Sequence, residues 1–244
     1  MNQNLDIQDL SIVLAIGNNN PTIITPDFLK GSGVIPGDWE LETRPVLLPQ
    51  VTRIAYQNGV KIEAQAGGIS FYQGLDLQKL SATEIPNIAR LYVEKLPNLQ
   101  YQGIGINPRR FVNFATADQA HRYLSETILS RGSWQDFGIA PLQMGVNLVY
   151  TLEGCKLRLA INEARLQIAD KEPTPAVLFA GNFDYLLTGN SREERLTNLQ
   201  GILGNWQSDF SAYQSLINNK SRTSSVRIPS RRDGRRSRRQ APSR

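Results

Sequence analysis

The stretch from Val51 to Gln73 constrains the fold more than any other part of this 244-residue chain. It contains three short runs rich in β-branched and aromatic residues, separated by Asn58-Gly59 and Gly67-Gly68. Asn-Gly is the strongest short signal for a hairpin, because both residues tolerate the positive φ that a type I′ turn requires. Gly-Gly offers the same freedom. The pattern predicts an antiparallel meander of three strands.

Serine or threonine residues open three predicted helices. Each is followed three residues later by Glu or Gln, the pattern of a capping box, at Ser81-Glu84, Thr116-Gln119 and Ser191-Glu194. The first helix is expected to end before Pro97, since the residue preceding a proline disfavours the helical conformation. The second helix is expected to run to about Ser130 and to be ended by Gly132.

The third predicted helix has the most regular apolar pattern. Its apolar residues recur with alternating steps of three and four, at Leu196, Leu199, Leu203, Trp206, Phe210, Tyr213 and Ile217. This spacing predicts one long helix with a narrow apolar seam that packs on a sheet. Gly201 and Gly204 each weaken a helix by roughly 1 kcal/mol relative to Ala. We therefore interpret these glycines as points of close contact with the sheet.

Alternation of apolar and polar residues predicts strands outside the meander. Residues 10–16 form a β-branched run typical of a buried strand. Residues 39–44 alternate and predict a half-buried strand whose acidic side chains lie in water. Residues 101–107 predict a strand that turns at Asn107-Pro108 into a partner strand over 109–114.

The second half of the chain continues this mixture of strands and turns. Residues 146–152 and 155–161 each alternate, and Glu153-Gly154 between them predicts a hairpin turn. The alternation then changes parity, which a β-bulge near Asn162–Glu163 would explain. Residues 176–187 predict a further, more apolar strand.

Together these elements predict an α+β fold. We expect antiparallel sheet in two strand-rich halves, residues 1–115 and 116–219, packed as one body with helices on one side. A body of about 219 residues within a chain that is 40% apolar is long enough to bury a core without disulfides. Residues 220–244 have no apolar period and are expected to form a disordered tail.

The charge of the chain is divided unevenly between this tail and the body. Ten of the 27 Lys and Arg residues, and only one acid, Asp233, lie in residues 220–244, which therefore carry +9. The remaining residues hold 17 basic and 21 acidic groups, a net charge of −4. The overall charge of +5 is thus the sum of two unlike parts, and the excess of positive charge is not a property of the body. Such asymmetry points to an anionic partner.

Arginine dominates the tail, which favours contacts with phosphate groups. Nucleic acid is the leading candidate partner, ahead of an acidic membrane surface or an acidic protein. In the body, Arg109 and Arg110 precede Phe111 in a basic-aromatic segment that could touch phosphates and stack on a base. The alternative is a hairpin with both arginines in water and Phe111 in the core. The residues predicted to contact a polyanion are Arg227, Arg231, Arg232, Arg235, Arg236, Arg238, Arg239, Arg109 and Arg110.

The sequence carries no catalytic, cofactor or metal motif, so we predict no cofactor and no metal. Gly103-Ile-Gly105 lacks the third glycine of a dinucleotide-binding loop. Cys155 is the single cysteine and shares a predicted strand face with apolar residues, so we expect a small, inert core residue. An enzyme is the alternative, with a site assembled only in the fold from carboxylates and arginines in the region of Asp184, His121 and Arg109.

A resemblance to known proteins rests on two patterns. The capped helix ending in Leu96-Pro97 is followed by YQGIGIN, and the Gly-Asn-Phe-Asp strand at Gly181–Asp184 leads into the final helix. In these features the chain resembles uncharacterised bacterial proteins, mainly cyanobacterial. The resemblance covers about residues 10–217, implies an α+β fold and transfers no functional residue.

The preferred function is a non-enzymatic binding or assembly protein. Its body would recognise a partner, for which another protein is a candidate, and its tail would contact a polyanion such as nucleic acid. The first residues lack the pattern of a secretory signal, and the apolar runs are shorter than the roughly 18 residues that a membrane helix needs. We therefore expect a soluble, cytoplasmic protein that does not insert into membranes, with the oligomeric state left open.

Overall fold

The structure is a computed structural model that describes residues 7–139, 142–167 and 172–218. Within these residues nine strands form one antiparallel sheet in the order β2-β3-β4-β5-β1-β6-β9-β8-β7. The strands are β1 Ile7–Ile16, β2 Val46–Leu47, β3 Val51–Ala55, β4 Lys61–Gln65, β5 Gly68–Gly74, β6 Tyr101–Asn113, β7 Gly145–Thr151, β8 Lys156–Leu166 and β9 Thr174–Leu186. The α-helices are α1 Pro26–Gly31, α2 Ile85–Lys95, α3 Ala117–Arg122, α4 Arg192–Gly204 and α5 Trp206–Asn218. The predicted α+β class is confirmed.

The meander predicted from the turn glycines is confirmed as β3, β4 and β5, each antiparallel to the next. Gly59 has a φ of 84° and Gly68 a φ of 155°. A Cβ atom at Gly68 would lie 2.1 Å from the carbonyl oxygen of Leu14 in β1. Gly68 begins β5 directly after the turn at Ala66-Gly67, and glycine is required there both by the positive φ and by the close approach of β5 to β1.

Alternating apolar residues give the sheet one buried face, which we call the helix face. In β1 these residues are fully buried, and they pair in register with apolar residues of β5 and β6, for example Ile12 with Phe71 and with Ile106. Helices α2, α4 and α5 lie against this side of the central strands. Tyr213 of α5 is fully buried, and its hydroxyl donates a hydrogen bond of 2.8 Å to the carbonyl oxygen of Phe179 in β9. The helix face therefore carries the core.

The predicted turn at Asn107-Pro108 is wrong, because β6 runs straight through it from Tyr101 to Asn113. Its pairing with β1 is continuous there, with Leu10 opposite Pro108. Its pairing with β9 lapses at Asn107 and Pro108 and resumes in the same register at Arg109 opposite Ala180. Proline lacks the N–H that a ladder needs, but the two flanking strands hold β6 extended on either side.

Two further strand predictions fail in ways that the neighbouring strands explain. Residues 39–44 form no strand, and only Leu41 makes an isolated bridge, to Tyr56. The predicted bulge in β8 is absent, because β8 pairs with β9 in one unbroken register from Lys156 to Leu166. The change in apolar parity arises because Glu163 takes an exposed position on the helix face, whereas Leu166 is buried on the opposite face.

Of the three predicted helix starts, two are capped by a neighbouring residue and one by a residue distant in sequence. Thr116 and Ser191 cap α3 and α4 as predicted, and Ser191 forms a complete capping box with Glu194. The predicted box at Ser81 is wrong, since Ser81 lies in a separate 3-10 turn. The start of α2 is instead satisfied by Gln73 of β5, whose Oε1 atom accepts the backbone N–H of Glu84 at 2.7 Å.

The helix that begins with α3 changes its form before it ends. After Arg122 the chain continues as a π-helical segment, Tyr123–Ile128, and the helical conformation ends there rather than at Ser130. Wider π-type turns are frequent at functional sites but also relieve local packing conflicts.

The single long final helix is broken into α4 and α5 at Asn205, which has a φ of −105° and a ψ of 10°. The apolar seam is nevertheless buried as predicted, with Leu203 2% and Phe210 1% exposed. Our interpretation of Gly201 and Gly204 is wrong, because an added Cβ atom at either position would meet nothing within 4 Å. These glycines face open space and not the sheet.

The two predicted halves contribute unequally to the sheet. Residues 1–115 supply β1 to β6, and residues 116–219 supply β7 to β9 with α3, α4 and α5. The tail, residues 220–244, lies outside the described residues, and with it the prediction that the tail is disordered. None of the helices in the described part of the chain is both long and apolar enough to cross a membrane.

Candidate functional site

The face of the sheet opposite the core, which we call the open face, is the candidate functional site. Side chains that point to it alternate with the core residues, and across the middle of the sheet the registers align six of them in one row. We call this the central row; it consists of Lys61, Tyr72, Ser11, Asn107, Asn182 and Arg158. Five steps between neighbouring strands make the row about 24 Å long.

Small residues beside the central row leave two shallow depressions on the open face. Gly105 lies beside Val13 and Asp184 in a depression of about 310 Å³. A second depression of about 420 Å³ is lined by Asn107, Ala180 and Ala160, among others. Because these residues carry little side chain, an extended ligand can approach the sheet closely along the row.

The amide of Asn107 stands at the centre of the row. Its Nδ2 atom donates a long hydrogen bond of 3.4 Å to Ser11 Oγ. Its Oδ1 atom is buried and accepts no hydrogen bond from the described residues. Asn182 lies one strand away and is exposed. The exposed amide of Asn182 can therefore read the edge of a base or a backbone, whereas the unused acceptor of Asn107 becomes accessible only when its side chain rotates.

Ion pairs border the central row on both sides. Arg109 Nε and Nη2 bond the two oxygens of Asp9 at 2.7 and 3.0 Å. This bond is the main reason that the pKa of Arg109 lies above its ordinary value. Arg158 Nη2 lies 3.3 Å from Asp184 Oδ2. Arg109 is therefore held rigidly, while the longer contact leaves Arg158 freer to change partner.

Basic residues outnumber acidic ones on the open face. The basic residues are Arg53, Lys61, Arg109, Lys156 and Arg158, and the acidic residues are Asp9, Glu63 and Asp184, a net charge of +2. Lys61 and Lys156 have no ion pair within the part of the chain that the structure describes. Since residues 1–219 as a whole carry −4, this face is locally the positive side of an acidic body.

Tyr72 is the aromatic member of the central row. It lies between Lys61 of β4 and Ser11 of β1, and its side chain is half-buried. A ring in this position can present a face to a flat ligand above the sheet. Phe111 lies on the same face near the end of β6.

The structure separates the two arginines that the sequence grouped together. Arg109 points to the open face, whereas Arg110 points to the helix face and donates to the side chain of Asn218 at the end of α5. Neighbouring residues of a strand necessarily point to opposite faces. The predicted tail arginines, Arg227 to Arg239, lie outside the described residues.

The residues of the enzyme alternative do not form one site. His121 of α3 bonds Glu163 through Nδ1 at 2.8 Å, on the helix side of β8. Asp184 and Arg109 lie on the open face, two rows apart, each bonded to a different partner. The sheet itself therefore stands between His121 and Asp184.

A buried polar cluster at the start of α5 was not predicted from the sequence. Tyr185 donates a hydrogen bond of 2.8 Å to Asp209 Oδ1, and Cys155 lies beside Tyr185. Burial raises the pKa of Asp209, and the bond from Tyr185 partly offsets this effect. Burial also raises the pKa of the Cys155 thiol, which lies just before β8 and packs against the core, as predicted. That Cys155 is inert stays a prediction.

Among the residues that the structure describes, no group of three or more His, Cys, Asp or Glu side chains is placed to hold a metal ion. No protein-family model matches the chain, and no curated protein is significantly similar to it in sequence. The function must therefore be argued from the geometry of the molecule.

The central row escaped sequence reasoning because its members come from six different strands. A weak signal was present in β1, where Ser11, Val13 and Ala15 alternate with large apolar residues and so mark a second, lightly covered face. Gly103 and Gly105 mark the same face in β6. Only the strand order brings these positions together.

Proposed function

We propose that this protein is a non-enzymatic binding protein that holds a single-stranded nucleic acid across the open face of its sheet. Residues 220–244 would add contacts with phosphate groups. The observation that carries the proposal is the central row, in which an aromatic ring, two asparagines and a cation at each end line the open face of the sheet.

Sheet faces suit unpaired nucleotides for a physical reason. Bases that are not paired expose flat surfaces, which stack on aromatic side chains, and edges that accept and donate hydrogen bonds. Tyr72 supplies the ring, and Asn107 and Asn182 supply the amides. The row is long enough for about 4 nucleotides, the lower end of the range that single-strand-binding domains cover. A duplex would offer fewer of these groups.

The positive charges at the ends of the row and in the tail also suit a single-stranded nucleic acid. Lys61 and Arg158, at the ends of the row, would contact phosphate groups of a strand that runs across the sheet. The tail begins just after Asn218, which is bonded to Arg110 of β6, the strand that also carries Asn107. The +9 charge of the tail is thus attached on the helix side of β6, opposite the row, and would supply affinity that is independent of sequence.

The proposal is a binding protein and not an enzyme because nothing in the row is arranged as an acid, base or nucleophile. The carboxylates on the open face of the described strands, Asp9, Glu63 and Asp184, are each bonded to an arginine. Such carboxylates position the arginines and balance their charge.

Fluorescence anisotropy with a labelled single strand tests the proposal. Full-length protein and a truncated form, residues 1–218, are titrated across a salt series. We expect truncation to weaken binding and to flatten the salt dependence, because fewer counterions are released. The truncated form should still bind the single strand more tightly than a duplex.

Variants of the central row identify the surface. Stacking of one base on an aromatic ring contributes about 1–3 kcal/mol, so Tyr72→Ala should weaken binding by the truncated form about 5- to 150-fold. Tyr72→Phe keeps the ring and should bind almost normally. Arg158→Ala should also weaken binding. Its matched control is Arg90→Ala, which removes an ion-paired arginine from the outer side of α2 and should have no effect.

Two results would contradict the proposal. If the truncated form binds neither strand nor duplex at low salt, the body has no part in binding, and the tail alone carries it. If Tyr72→Ala and Arg158→Ala bind like the unaltered protein, the open face is not the binding surface.

A further inference from the structure

The two edges of the sheet are built differently. At one edge, β2 is only two residues long and lies between Pro45 and Pro49. Short edge strands and prolines are the usual means by which proteins prevent sheet edges from pairing with other chains. At the other edge, β7 has seven residues, GVNLVYT, with no proline and no charged residue.

The hydrogen bonds of the β7–β8 hairpin show which backbone groups of β7 point away from the sheet. Leu152 donates its N–H to the carbonyl oxygen of Cys155 at 3.0 Å, which closes the turn. Because bonded and non-bonded pairs alternate in an antiparallel ladder, Val146, Leu148 and Tyr150 bond to β8. The N–H and C=O groups of Gly145, Asn147, Val149 and Thr151 therefore point outward.

Exposed apolar side chains are concentrated in the part of the sequence that contains this strand. In the described residues thirteen large apolar side chains are exposed, and six of them fall between residues 134 and 152. These six are Trp134, Phe137, Ile139, Leu148, Val149 and Leu152. Val149 is 65% exposed and Phe137 is 87% exposed. A regular edge strand that has exposed apolar side chains and no charged residue can readily pair with a strand of another chain.

We propose that two copies of this chain pair antiparallel through β7, about a two-fold axis at Leu148, to form one continuous sheet of eighteen strands. The inference goes beyond the proposed function and does not depend on it. The occupant of the edge is a second copy because the composition of β7 is complementary to itself.

The register follows from the outward backbone groups. Odd-numbered residues must pair with odd-numbered residues, since these carry the free N–H and C=O groups. Of the registers that satisfy this condition, only the one centred on Leu148 pairs all seven residues of β7. It places Leu148 opposite its own copy, Asn147 opposite Val149, Val146 opposite Tyr150, and Gly145 opposite Thr151.

This pairing is favourable in both charge and size. A two-fold axis brings like residues together, so a charged residue near the axis would be repelled by its copy. No such residue exists in β7. Small residues meet larger ones, and about eight backbone hydrogen bonds form. Leu148 and the Val146–Tyr150 pairs also extend the apolar row of the helix face across the junction.

The pairing also determines where the open faces of the two copies lie. An axis perpendicular to the sheet puts the helices of both copies on one side and both open faces on the other. Arg158, which pairs with Val149 next to the edge, would then lie close to the junction in both copies. The two central rows would belong to one surface.

Sedimentation equilibrium across a concentration series tests the proposal. The unaltered chain is expected at twice its monomer mass of 27.3 kDa. Leu148→Lys and Leu148→Glu should each sediment as monomers, because each places two like charges at the axis. An equal mixture of the two variants should return to the dimer mass. The matched control, Leu47→Lys at the β2 edge, should stay dimeric, since Leu47 is 49% exposed at the opposite end of the sheet.

A second variant guards against misfolding. Val149→Pro removes an outward N–H without removing a bond to β8, so it should give a folded monomer, checked by circular dichroism. An unaltered chain that is monomeric at every concentration overturns the proposal. A Leu148→Lys variant that stays dimeric places the interface elsewhere, and a mixture of Lys and Glu variants that stays monomeric overturns the register centred on Leu148.

Discussion

Replacing Gly201 by alanine tests how α4 lies on the body. The sequence led us to expect a glycine in close contact with the sheet, but the structure places Gly201 on the exposed side of α4, with nothing within 4 Å of an added Cβ atom. Its backbone is helical, so alanine can occupy the position without strain. The variant should therefore stabilise the protein.

The expected gain follows from helix propensity. Glycine inside a helix is less favourable than alanine by about 0.5–1 kcal/mol, because it loses more backbone freedom on folding. Gly201 lies three residues before the end of α4, where the last turn frays, so the lower part of this range applies. For a domain of this size, 1 kcal/mol corresponds to a rise in Tm of about 2–4 °C.

Thermal unfolding followed by circular dichroism measures this shift, with urea unfolding as a second assay. The contrasting variant is Gly68→Ala, whose Cβ atom would collide with the Leu14 carbonyl oxygen and which should be clearly destabilised. A fall in stability for Gly201→Ala would refute the reasoning. It would mean that α4 packs against the sheet, or against a partner, at this glycine.

Two further predictions concern α5. Trp206 is 7% exposed, and Trp206→Ala should lower the free energy of unfolding by about 3–5 kcal/mol; a loss under 1 kcal/mol in urea unfolding would mean that the seam is not part of the core. Burial raises the pKa of Asp209 in the folded protein, so folding favours the protonated carboxyl group. The stability that this group contributes is fully present below the unfolded pKa of about 4 and is lost as the pH rises through the folded pKa. Asp209→Asn should therefore be more stable than the unaltered protein at neutral pH, and the difference should shrink toward pH 4. The opposite trend would show that the ionised carboxylate is stabilised in the fold.

Local signals in the sequence predicted the parts of the fold that local physics decides. Gly59, in one hairpin turn, and Gly68, directly after the next, have a positive φ, so these glycines revealed the meander. The caps at Thr116 and Ser191 satisfy N–H groups within a few residues, so they revealed the starts of α3 and α4. In each case the interaction that decides the structure lies within a few residues of the glycine or the capping residue.

Failures occurred where distant strands decide the structure. Asn107-Pro108 has the local chemistry of a turn, but β1 and β9 on either side keep β6 extended. The cap of α2 comes from Gln73, which lies outside the helix and its flanking residues. The break between α4 and α5 and the open space beside Gly201 likewise depend on where the helices meet the sheet.

The candidate site depended almost entirely on strand order. Chemical reasoning from the sequence selected conspicuous residues, Arg109, His121 and Asp184, which the sheet then divides between its two faces. The residues that meet in the central row are ordinary ones. They become a surface only because β4, β5, β1, β6, β9 and β8 are neighbours in that order.

The most direct test of the proposed function is to map where a single strand lies on the protein. An oligonucleotide that carries a photoreactive base is bound to the full-length chain and cross-linked by ultraviolet light, and the modified peptides are identified by mass spectrometry after proteolysis. We predict cross-links in the peptides that contain Tyr72, Asn107 and Asn182. Cross-links confined to residues 219–244, or to the exposed sides of α2 and α4, would contradict binding on the open face.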